Sequence, residues 1–139
     1  WVGEAVTGGA KLLCGGKRCG SMVEPTVLTA THPQQRINCE EIFAPVVTVE
    51  PYKDFAEALR RVNDTPYGLQ AGIFTHDANL IFQSYEDLDV GAVLAGDVPT
   101  FRIDNMPYGG VKDSGVGREG IRYAIEEMTE RKLLVMNLR

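Results

Sequence analysis

The chain has 139 residues, enough for one domain with its own core, and its 44% hydrophobic and 24% charged residues argue against a disordered protein. The formal net charge of -5 argues against nucleic acid as a partner, because phosphate binding needs clustered Lys and Arg. No apolar stretch approaches the roughly 20 residues of a membrane helix, so we expect no membrane partner.

The three cysteines, Cys14, Cys19 and Cys39, form an odd set without the spacing of a disulfide framework. This usage favours free thiols in a reducing compartment, and we expect a cytoplasmic protein. The two histidines, His32 and His76, do not complete a zinc-ligand pattern with these cysteines. We therefore expect no metal site.

The first half of the chain alternates between helical and extended patterns. A helix is indicated at the start by apolar residues at helical spacing, namely Trp1, Val2, Ala5 and Val6. Three β-rich segments follow, at residues 12–14, 23–30 and 45–52. Pro25 interrupts the second segment, which we expect to be an irregular or edge strand. Asp54 then caps a helix that runs through Val62 and stops at residues 63–66.

A second cycle occupies residues 71–96. Short apolar strands are predicted at residues 71–75 and 91–96, and between them Asp77 caps a helix whose apolar face contains Ile81, Tyr85 and Leu88. Together with the strand at residues 45–52, this gives a strand, helix, strand, helix, strand order that is typical of βαβ units in a parallel sheet. The sequence therefore predicts an α/β fold, which we interpret as one domain over residues 1–139.

Residues 97–120 interrupt this rhythm with two prolines and five glycines. A loop of this length inside a compact domain is usually functional or disordered. A helix from about Arg118 to Met128 follows, with Glu119 in its first turn. The chain ends in an apolar segment, residues 133–138, that is predicted to be a strand and has no partner evident in the sequence.

Two separated segments carry a family resemblance. One is Glu40-Glu41-Ile42-Phe43-Ala44-Pro45, and the other runs from Met106-Pro107-Tyr108-Gly109-Gly110 through Ser114-Gly115-Val116-Gly117-Arg118-Glu119-Gly120. Together they resemble the carboxy-terminal third of the aldehyde dehydrogenase superfamily. The resemblance covers nearly the whole chain. It implies an α/β fold with the parallel βαβ sheet of that catalytic domain, of which this chain is a carboxy-terminal fragment. It also implies a terminal oligomerisation strand at about residues 132–138, and hence a homo-oligomer.

By this resemblance, the first segment contacts the cofactor. In the family, the second glutamate of the motif accepts hydrogen bonds from the hydroxyls of the nicotinamide ribose, and the phenylalanine two residues later packs near the nicotinamide. The corresponding residues are Glu41 and Phe43, and the implied cofactor is NAD or NADP. A carboxylate suits two adjacent hydroxyls because it accepts from both. Without the resemblance, two acids before an apolar pair indicate only a solvated turn.

We do not expect the neighbouring residues Glu40 and Ala44 to contact the cofactor in the same way. Glu40 has no such role in the family and is expected to be exposed. Ala44 stands where the family usually has glycine. If the backbone there needs a positive φ, alanine destabilises the loop by about 1 kcal/mol.

The second segment resembles the loop that closes the floor of the aldehyde tunnel. Tyr108, the aromatic residue before the paired glycines, is the candidate to line the pocket near the reacting carbon. Residues 97–104 correspond to the tunnel mouth and offer Phe101 and Arg102 as further substrate-binding candidates. An arginine there could hold an anionic group such as phosphonate, sulfonate or carboxylate in fork geometry. A solvated arginine on a loop is the simpler alternative.

The implied function is oxidation of a small aldehyde to a carboxylic acid by an NAD(P)-dependent aldehyde dehydrogenase. In the family, a cysteine thiolate adds to the carbonyl, hydride leaves to the nicotinamide, and a glutamate activates water. Those two residues and the Rossmann half correspond to sequence upstream of this chain, so we assign no catalytic residue and expect the isolated chain to be inactive. Cys39 is a poor nucleophile candidate because its two adjacent acids disfavour a thiolate.

Two other functions stay open. One is a non-catalytic module that self-associates through the terminal strand, since an open apolar strand edge needs a partner. The other is an autonomous nucleotide binder, which is disfavoured because no Gly-x-Gly-x-x-Gly element opens a βαβ unit. The sequence leaves open the identity of the aldehyde, the choice between NAD and NADP, and the size of the oligomer.

Overall fold

The computed structural model describes residues 1–138, and the chain forms two compact units. The first unit is Trp1–Glu57, and the second begins at Ala58. Each unit contains its own paired strands and its own buried side chains. The interpretation of residues 1–139 as one domain stays a prediction.

The first unit is built around a three-stranded sheet. Its elements follow in the order α1 (Val2–Thr7), β1 (Lys11–Cys14), β2 (Arg18–Cys19), β3 (Met22–Val23), β4 (Thr26–Thr29), α2 (Arg36–Cys39) and β5 (Val46–Thr48). Strand β4 lies in the centre, antiparallel to β1 and parallel to β5, while β2 pairs with β3. The predicted first helix and first strand are confirmed, and the strand predicted at residues 45–52 is shorter than expected.

Pro25 separates two strands. Of the two alternatives predicted for residues 23–30, the irregular strand is confirmed, since the segment is split and its pairing with β1 shifts register, whereas the edge strand is wrong for β4, which has a neighbouring strand on each side. The proline, which has no N–H to donate, falls between the end of β3 and the start of β4, so neither strand contains it. Thr26, directly after it, is buried, and its hydroxyl accepts a hydrogen bond from the Gly16 N–H at 2.8 Å.

The core of the first unit is formed by side chains from α1, α2 and the sheet. Its buried members are Ala5, Ala10, Leu28 and Ile37, and the partly buried Val2, Ile42 and Val46 pack against them. Leu28 lies in the central strand and is fully buried, so replacing it with alanine should destabilise the fold by about 2–5 kcal/mol. Ile42 attaches the segment between α2 and β5 to this core.

Helix α3 (Phe55–Asn63) contains the boundary between the two units. Its start is capped as predicted, because the Asp54 carboxylate accepts a hydrogen bond from the Glu57 N–H at 2.7 Å. Leu59 is buried. The helix ends at Asn63, which confirms the stop predicted at residues 63–66.

The second unit contains a βαβ motif. Its remaining elements follow in the order β6 (Tyr67–Gly68), β7 (Gln70–Ile73), α4 (Ala78–Asp87), β8 (Ala92–Ala95), β9 (Val111–Lys112) and α5 (Ile121–Met128). Strands β7 and β8 pair in parallel, with α4 between them in sequence, which confirms the predicted βαβ pairing. Strand β5, which the sequence places in the same parallel sheet, pairs with β4 instead.

Helix α4 follows the prediction with one exception. Asp77 accepts a hydrogen bond from the Asn79 N–H at 2.8 Å, and Leu88 is buried. Tyr85, predicted on the apolar face, is 71% exposed, and Ser84 is buried. The serine hydroxyl donates to the Leu80 carbonyl at 2.7 Å, so it can be buried without a partner outside the helix.

The glycine-rich segment is more ordered than its sequence predicts. Strand β9 pairs antiparallel with β6, and an isolated β-bridge joins Tyr108 to Glu119. Helix α5 begins at Ile121, after Gly120 with a φ of 107°. The start predicted near Arg118 is therefore too early, and Glu119 lies before the helix because its backbone pairs with Tyr108.

The terminal segment, residues 132–138, has no regular secondary structure in the single chain. Its apolar side chains are exposed, namely Leu133, Leu134, Val135, Met136 and Leu138. The oligomerisation strand needs a partner chain and stays a prediction. Within the described part of the chain, no helix is both long enough and apolar enough to cross a membrane.

Candidate functional site

Glu41 and Phe43 lie on either side of a residue that packs against the core of the first unit. The segment between α2 and β5 has no regular secondary structure, and Ile42 packs against the core of the first unit. The residues on either side of Ile42 are exposed, Phe43 by 92% of its surface. Alternation of this kind is expected of extended backbone, in which successive side chains point in opposite directions. Burial of Ile42 therefore presents the carboxylate and the ring to solvent.

Ala44, which stands where the family usually has glycine, does not strain this segment. Among residues 1–138, the non-glycine residues with positive φ are Ala30 and Lys112, so Ala44 has an ordinary backbone conformation. Its N–H donates to the Ile42 carbonyl at 2.7 Å, and its own carbonyl accepts from the Val46 N–H at 2.8 Å. Two tight turns thus lead from the exposed pair into β5, and alanine is compatible with both.

Glu41 and Phe43 line a cleft of about 480 Å³ in the first unit. The other lining residues are Trp1, Val2, Gly3, Gly16, Lys17, Arg18, Val23, Ile42, Ala44 and Val46. The cleft therefore combines two aromatic side chains with one carboxylate and two cationic residues. A volume of this size falls in the range of small-molecule and cofactor sites.

The two adjacent acids of the motif have different surroundings. Glu40 Oε1 lies 3.1 Å from Arg36 Nε, and Arg36 also lies 3.6 Å from Glu4. The Arg36 guanidinium carbon is 4.5 Å from the centroid of the Trp1 ring, which lines the cleft. Glu40 is exposed, as expected, and neutralises an arginine outside the cleft lining. Glu41 is the acid that lines the cleft.

Arg102 and Tyr108 meet in the second unit. Arg102 Nη2 lies 3.0 Å from Glu119 Oε2, and the Arg102 guanidinium carbon lies 4.9 Å from the centroid of the Tyr108 ring. The Tyr108 N–H donates to the Glu119 carbonyl at 3.2 Å, and the Glu119 N–H donates to the Tyr108 carbonyl at 2.6 Å. Two predicted substrate residues are thus in contact, and a third residue joins both.

The loop that bears Phe101 and Arg102 is held against β7 through its backbone. Gln70 Nε2 donates to the Phe101 carbonyl at 3.0 Å. A Cβ atom on Gly72 would meet the Asp97 carbonyl oxygen and the Pro99 ring, so only glycine allows this close approach. The Phe101 side chain itself is exposed.

The glycine-rich segment that carries Tyr108 is fixed by hydrogen bonds from several directions. The Ser114 hydroxyl accepts from the Gly68 N–H at 2.8 Å. Arg118 Nη1 donates to the carbonyls of Gly110 and Gly117, at 3.0 and 2.6 Å. Ser114 and Arg118 therefore hold the backbone of this segment in place.

Sequence reasoning missed the partner of Arg102 and part of the cleft. The sequence pattern places Glu119 in the first turn of a helix, and no local pattern relates it to Arg102. Trp1, Lys17 and Arg18 join the cleft only through the folding of the first unit.

The three cysteines form no disulfide with one another. All three are exposed and free, and Cys39 Sγ donates to the Pro33 carbonyl at 3.1 Å. Across residues 1–138, the acidic, histidine and cysteine side chains form no group that could hold a metal ion.

Comparison with known proteins decides the family. A sequence model of the aldehyde dehydrogenase family matches residues 1–134. This chain belongs to the aldehyde dehydrogenase family. Aldehyde dehydrogenases are oxidoreductases that use NAD or NADP, and membership confirms the resemblance stated from the sequence.

Two curated aldehyde dehydrogenases are similar over almost the whole chain. A 3-sulfolactaldehyde dehydrogenase from Priestia aryabhattai is 46% identical over 138 residues, and a lactaldehyde dehydrogenase from Methanococcus aeolicus is 47% identical over 136 residues. The alignments cover 99% and 98% of this chain. The chain spans only 29% of the length of either relative.

Solved aldehyde dehydrogenase structures share the fold. An enzyme from Physcomitrella patens in complex with the reaction product succinate aligns with a TM-score of 0.94 at 51% identity, covering 98% of this chain and 28% of that one. A glyceraldehyde-3-phosphate dehydrogenase from Methanocaldococcus jannaschii in complex with NADP aligns with a TM-score of 0.85 at 44% identity, covering 91% and 28%. The predicted α/β fold of the family is thereby confirmed.

Proposed function

We propose that this chain supplies the cofactor-ribose contact and part of the substrate tunnel of an NAD- or NADP-dependent aldehyde dehydrogenase that oxidises a small aldehyde to a carboxylic acid. The observation that carries the proposal is the presentation of Glu41 and Phe43, side by side, at a cleft of about 480 Å³. Family membership supports the reaction class.

The residues of the cleft fit a nicotinamide nucleotide. The Glu41 carboxylate can accept hydrogen bonds from both ribose hydroxyls, and the exposed Phe43 ring offers an apolar surface beside it. Lys17 and Arg18 supply positive charge for phosphate. Glu41 and Phe43 would hold the nicotinamide end of the cofactor, which would supply the hydride acceptor of the reaction. The contribution of this chain is to bind and orient the cofactor.

The proposed substrate site consists of Tyr108, Phe101 and Arg102, and we propose an aldehyde with an anionic group. Similar enzymes are named for 3-sulfolactaldehyde and glyceraldehyde 3-phosphate, and another is bound to succinate, all of which are anionic. A guanidinium suits sulfonate, phosphate or carboxylate because its N–H groups form a planar fork. The similar lactaldehyde dehydrogenase has a neutral substrate by name, so the anionic group is a separate part of the proposal.

The 139 residues do not contain the nucleophile or the general base of the reaction. We therefore propose that the chain alone does not turn over. The exposed, free thiols support a cytoplasmic location. Reduced-nicotinamide formation by the purified chain, with short aldehydes and either cofactor, is the direct measurement. Turnover that Cys39→Ser abolishes would contradict this assignment.

The cofactor role is tested by charge removal at Glu41. In a complete aldehyde dehydrogenase that contains this segment, Glu41→Gln should raise the Kd of NAD or NADP about tenfold, because it weakens charge-assisted hydrogen bonds. Glu40→Gln is the matched control. This substitution also removes one negative charge, but from a residue that pairs with Arg36. The Kd of the cofactor for the Glu40→Gln variant should therefore stay unchanged. Equal effects of the two substitutions would contradict a specific role for Glu41.

A second candidate function is a non-catalytic module that self-associates. The observation that favours it is the exposed run of apolar side chains from Leu133 to Leu138. Such a run, if extended, offers strand edges to a second copy of the chain. Both functions are compatible with a homo-oligomer, and they differ in whether Glu41→Gln weakens cofactor binding by a complete enzyme that contains this segment.

A further inference from the structure

Arg102 already has an anionic partner within the chain. The Glu119 carboxylate lies 3.0 Å from its guanidinium, while the Tyr108 ring lies against the guanidinium carbon at 4.9 Å. Tyr108 and Glu119 are joined to each other through two backbone hydrogen bonds. The proposed anion site is therefore occupied by a charge from its own loop.

This ion pair can open at little cost. The Arg102 side chain is 50% exposed and that of Glu119 is 61% exposed, and ion pairs in such solvent-screened surroundings contribute little to stability. The bridge between Tyr108 and Glu119 uses backbone atoms, so it does not depend on the carboxylate. A guanidinium presents five N–H donors, which an incoming anion can share with Glu119 or take from it.

We infer that Glu119 sets the selectivity of the Arg102 site by competing with anionic ligands for the guanidinium. The inference rests on the proposed role of Arg102. An anion that binds Arg102 either displaces the Glu119 carboxylate or lies within a few ångströms of this like charge. Both effects lower the affinity of Arg102 for the anion. A neutral ligand meets neither penalty. The anionic group of a substrate is also present on the product. Competition from Glu119 therefore weakens the binding of the product to Arg102 as well and favours its release.

The test uses the 139-residue chain, with butyrate as the anionic probe and butyramide as its neutral counterpart, at constant ionic strength. Binding is followed by NMR through the Arg102 Nε–Hε signal and the Tyr108 ring. Glu119→Gln removes the charge but keeps an acceptor oxygen for Arg102. It should lower the Kd of butyrate about threefold to tenfold, the range expected for one partly screened charge, and leave butyramide unchanged.

Glu126→Gln is the matched control. Glu126 is also a carboxylate in exposed ion pairs, with Arg122 at 3.3 Å and Arg131 at 3.1 Å, on or beyond α5. Its substitution changes the net charge equally and should leave the Kd of butyrate unchanged. Glu119→Thr is a second variant, because threonine suits the extended backbone of a β-bridge, and it should lower the Kd of butyrate by the same factor. The Tyr108 amide signal shows whether the bridge to residue 119 is kept in each variant.

The outcomes separate this inference from the proposed function. An unchanged or higher Kd in both Glu119 variants would overturn the inference, as would an equal gain in Glu126→Gln. If Arg102→Ala abolishes butyrate binding while the Glu119 variants leave the Kd of butyrate unchanged, Arg102 binds the anion as proposed. In that case only the inference that Glu119 competes for Arg102 is wrong. If neither the wild type nor the Glu119 variants bind butyrate at its solubility limit, both the anion site and the inference fail.

Discussion

The ammonium group of Lys112 lies 2.9 Å from the carbonyl oxygen of Asn63 and 3.3 Å from that of Thr65. Asn63 ends α3, and the last carbonyls of a helix lack partners within it. A cation at this end also interacts favourably with the helix dipole. Lys112 does this from a left-handed backbone conformation, with a φ of 54°. One side chain thus holds β9, next to the loop of Tyr108, to the end of α3.

Lys112→Ala should destabilise the second unit by about 1–2 kcal/mol, because it removes two hydrogen bonds from a charged donor. Lys112→Gly loses the same contacts but adopts a positive φ without strain. It should therefore be more stable than the alanine variant by up to about 1 kcal/mol. Urea unfolding followed by circular dichroism measures both. A glycine variant no more stable than the alanine variant would show that the backbone of Lys112 is unstrained.

Arg102→Ala should impair only the use of anionic aldehydes. In a complete aldehyde dehydrogenase that contains this segment, KM for an anionic aldehyde should rise about fivefold to tenfold, since a half-exposed charge-assisted contact is lost. KM for a neutral aldehyde of similar size should not change. Arg122→Ala, which removes an exposed arginine on α5, is the control. A loss of the same size with both aldehydes would indicate that Arg102 supports the loop and does not bind the anion.

The terminal segment should drive self-association. Size-exclusion chromatography should give an oligomer for the full chain and a monomer for a chain that lacks residues 132–139, because the exposed apolar run would be gone. Leu134→Lys in the full chain should weaken the oligomer as well, which separates apolar pairing from chain length. Monomers in every case would count against both the oligomerisation strand and the self-associating module.

Gly91 should not tolerate a side chain. A Cβ atom there would overlap the Gly109 carbonyl oxygen and lie 3.0 Å from the Leu69 carbonyl oxygen. Gly91→Ala should therefore destabilise the fold by about 2–3 kcal/mol in thermal or urea unfolding. Gly3→Ala is the control, since no other atom lies within 4 Å of its added Cβ, and it should be neutral or stabilising. Equal stability of the two variants would mean that the Gly109 loop moves freely aside.

Features determined by neighbouring residues were predictable from the sequence. Asp54 and Asp77 cap their helices through contacts within three residues, so the local pattern suffices. The pairing of β6 with β9 joins Tyr67 to Lys112 through strands of two residues each, which leave no periodic signal. The exposure of Tyr85 is likewise a tertiary property, because the helix period alone cannot tell which side of a broad apolar face is covered.

The same division applies to the site. The motif predicts Glu41 and Phe43, and the burial of Ile42 explains their shared exposure. The pairing of Arg102 with Glu119 depends on a bridge between distant parts of the glycine-rich segment, and sequence spacing does not encode it. Trp1 reaches the cleft for a similar reason, since it precedes Glu41 by most of the first unit.

The attachment of the loop of Phe101 and Arg102 has a consequence for which substitutions the loop can accept. Gln70 binds this loop through a backbone carbonyl, and Gly72 admits its main chain, so neither contact uses the side chains at positions 101 and 102. The two attachments to β7 therefore survive exchange of either side chain, although exchange of Arg102 also removes its ion pair with Glu119. If these positions contact substrate as proposed, point substitution there changes the chemistry that a substrate meets without rebuilding strand β7.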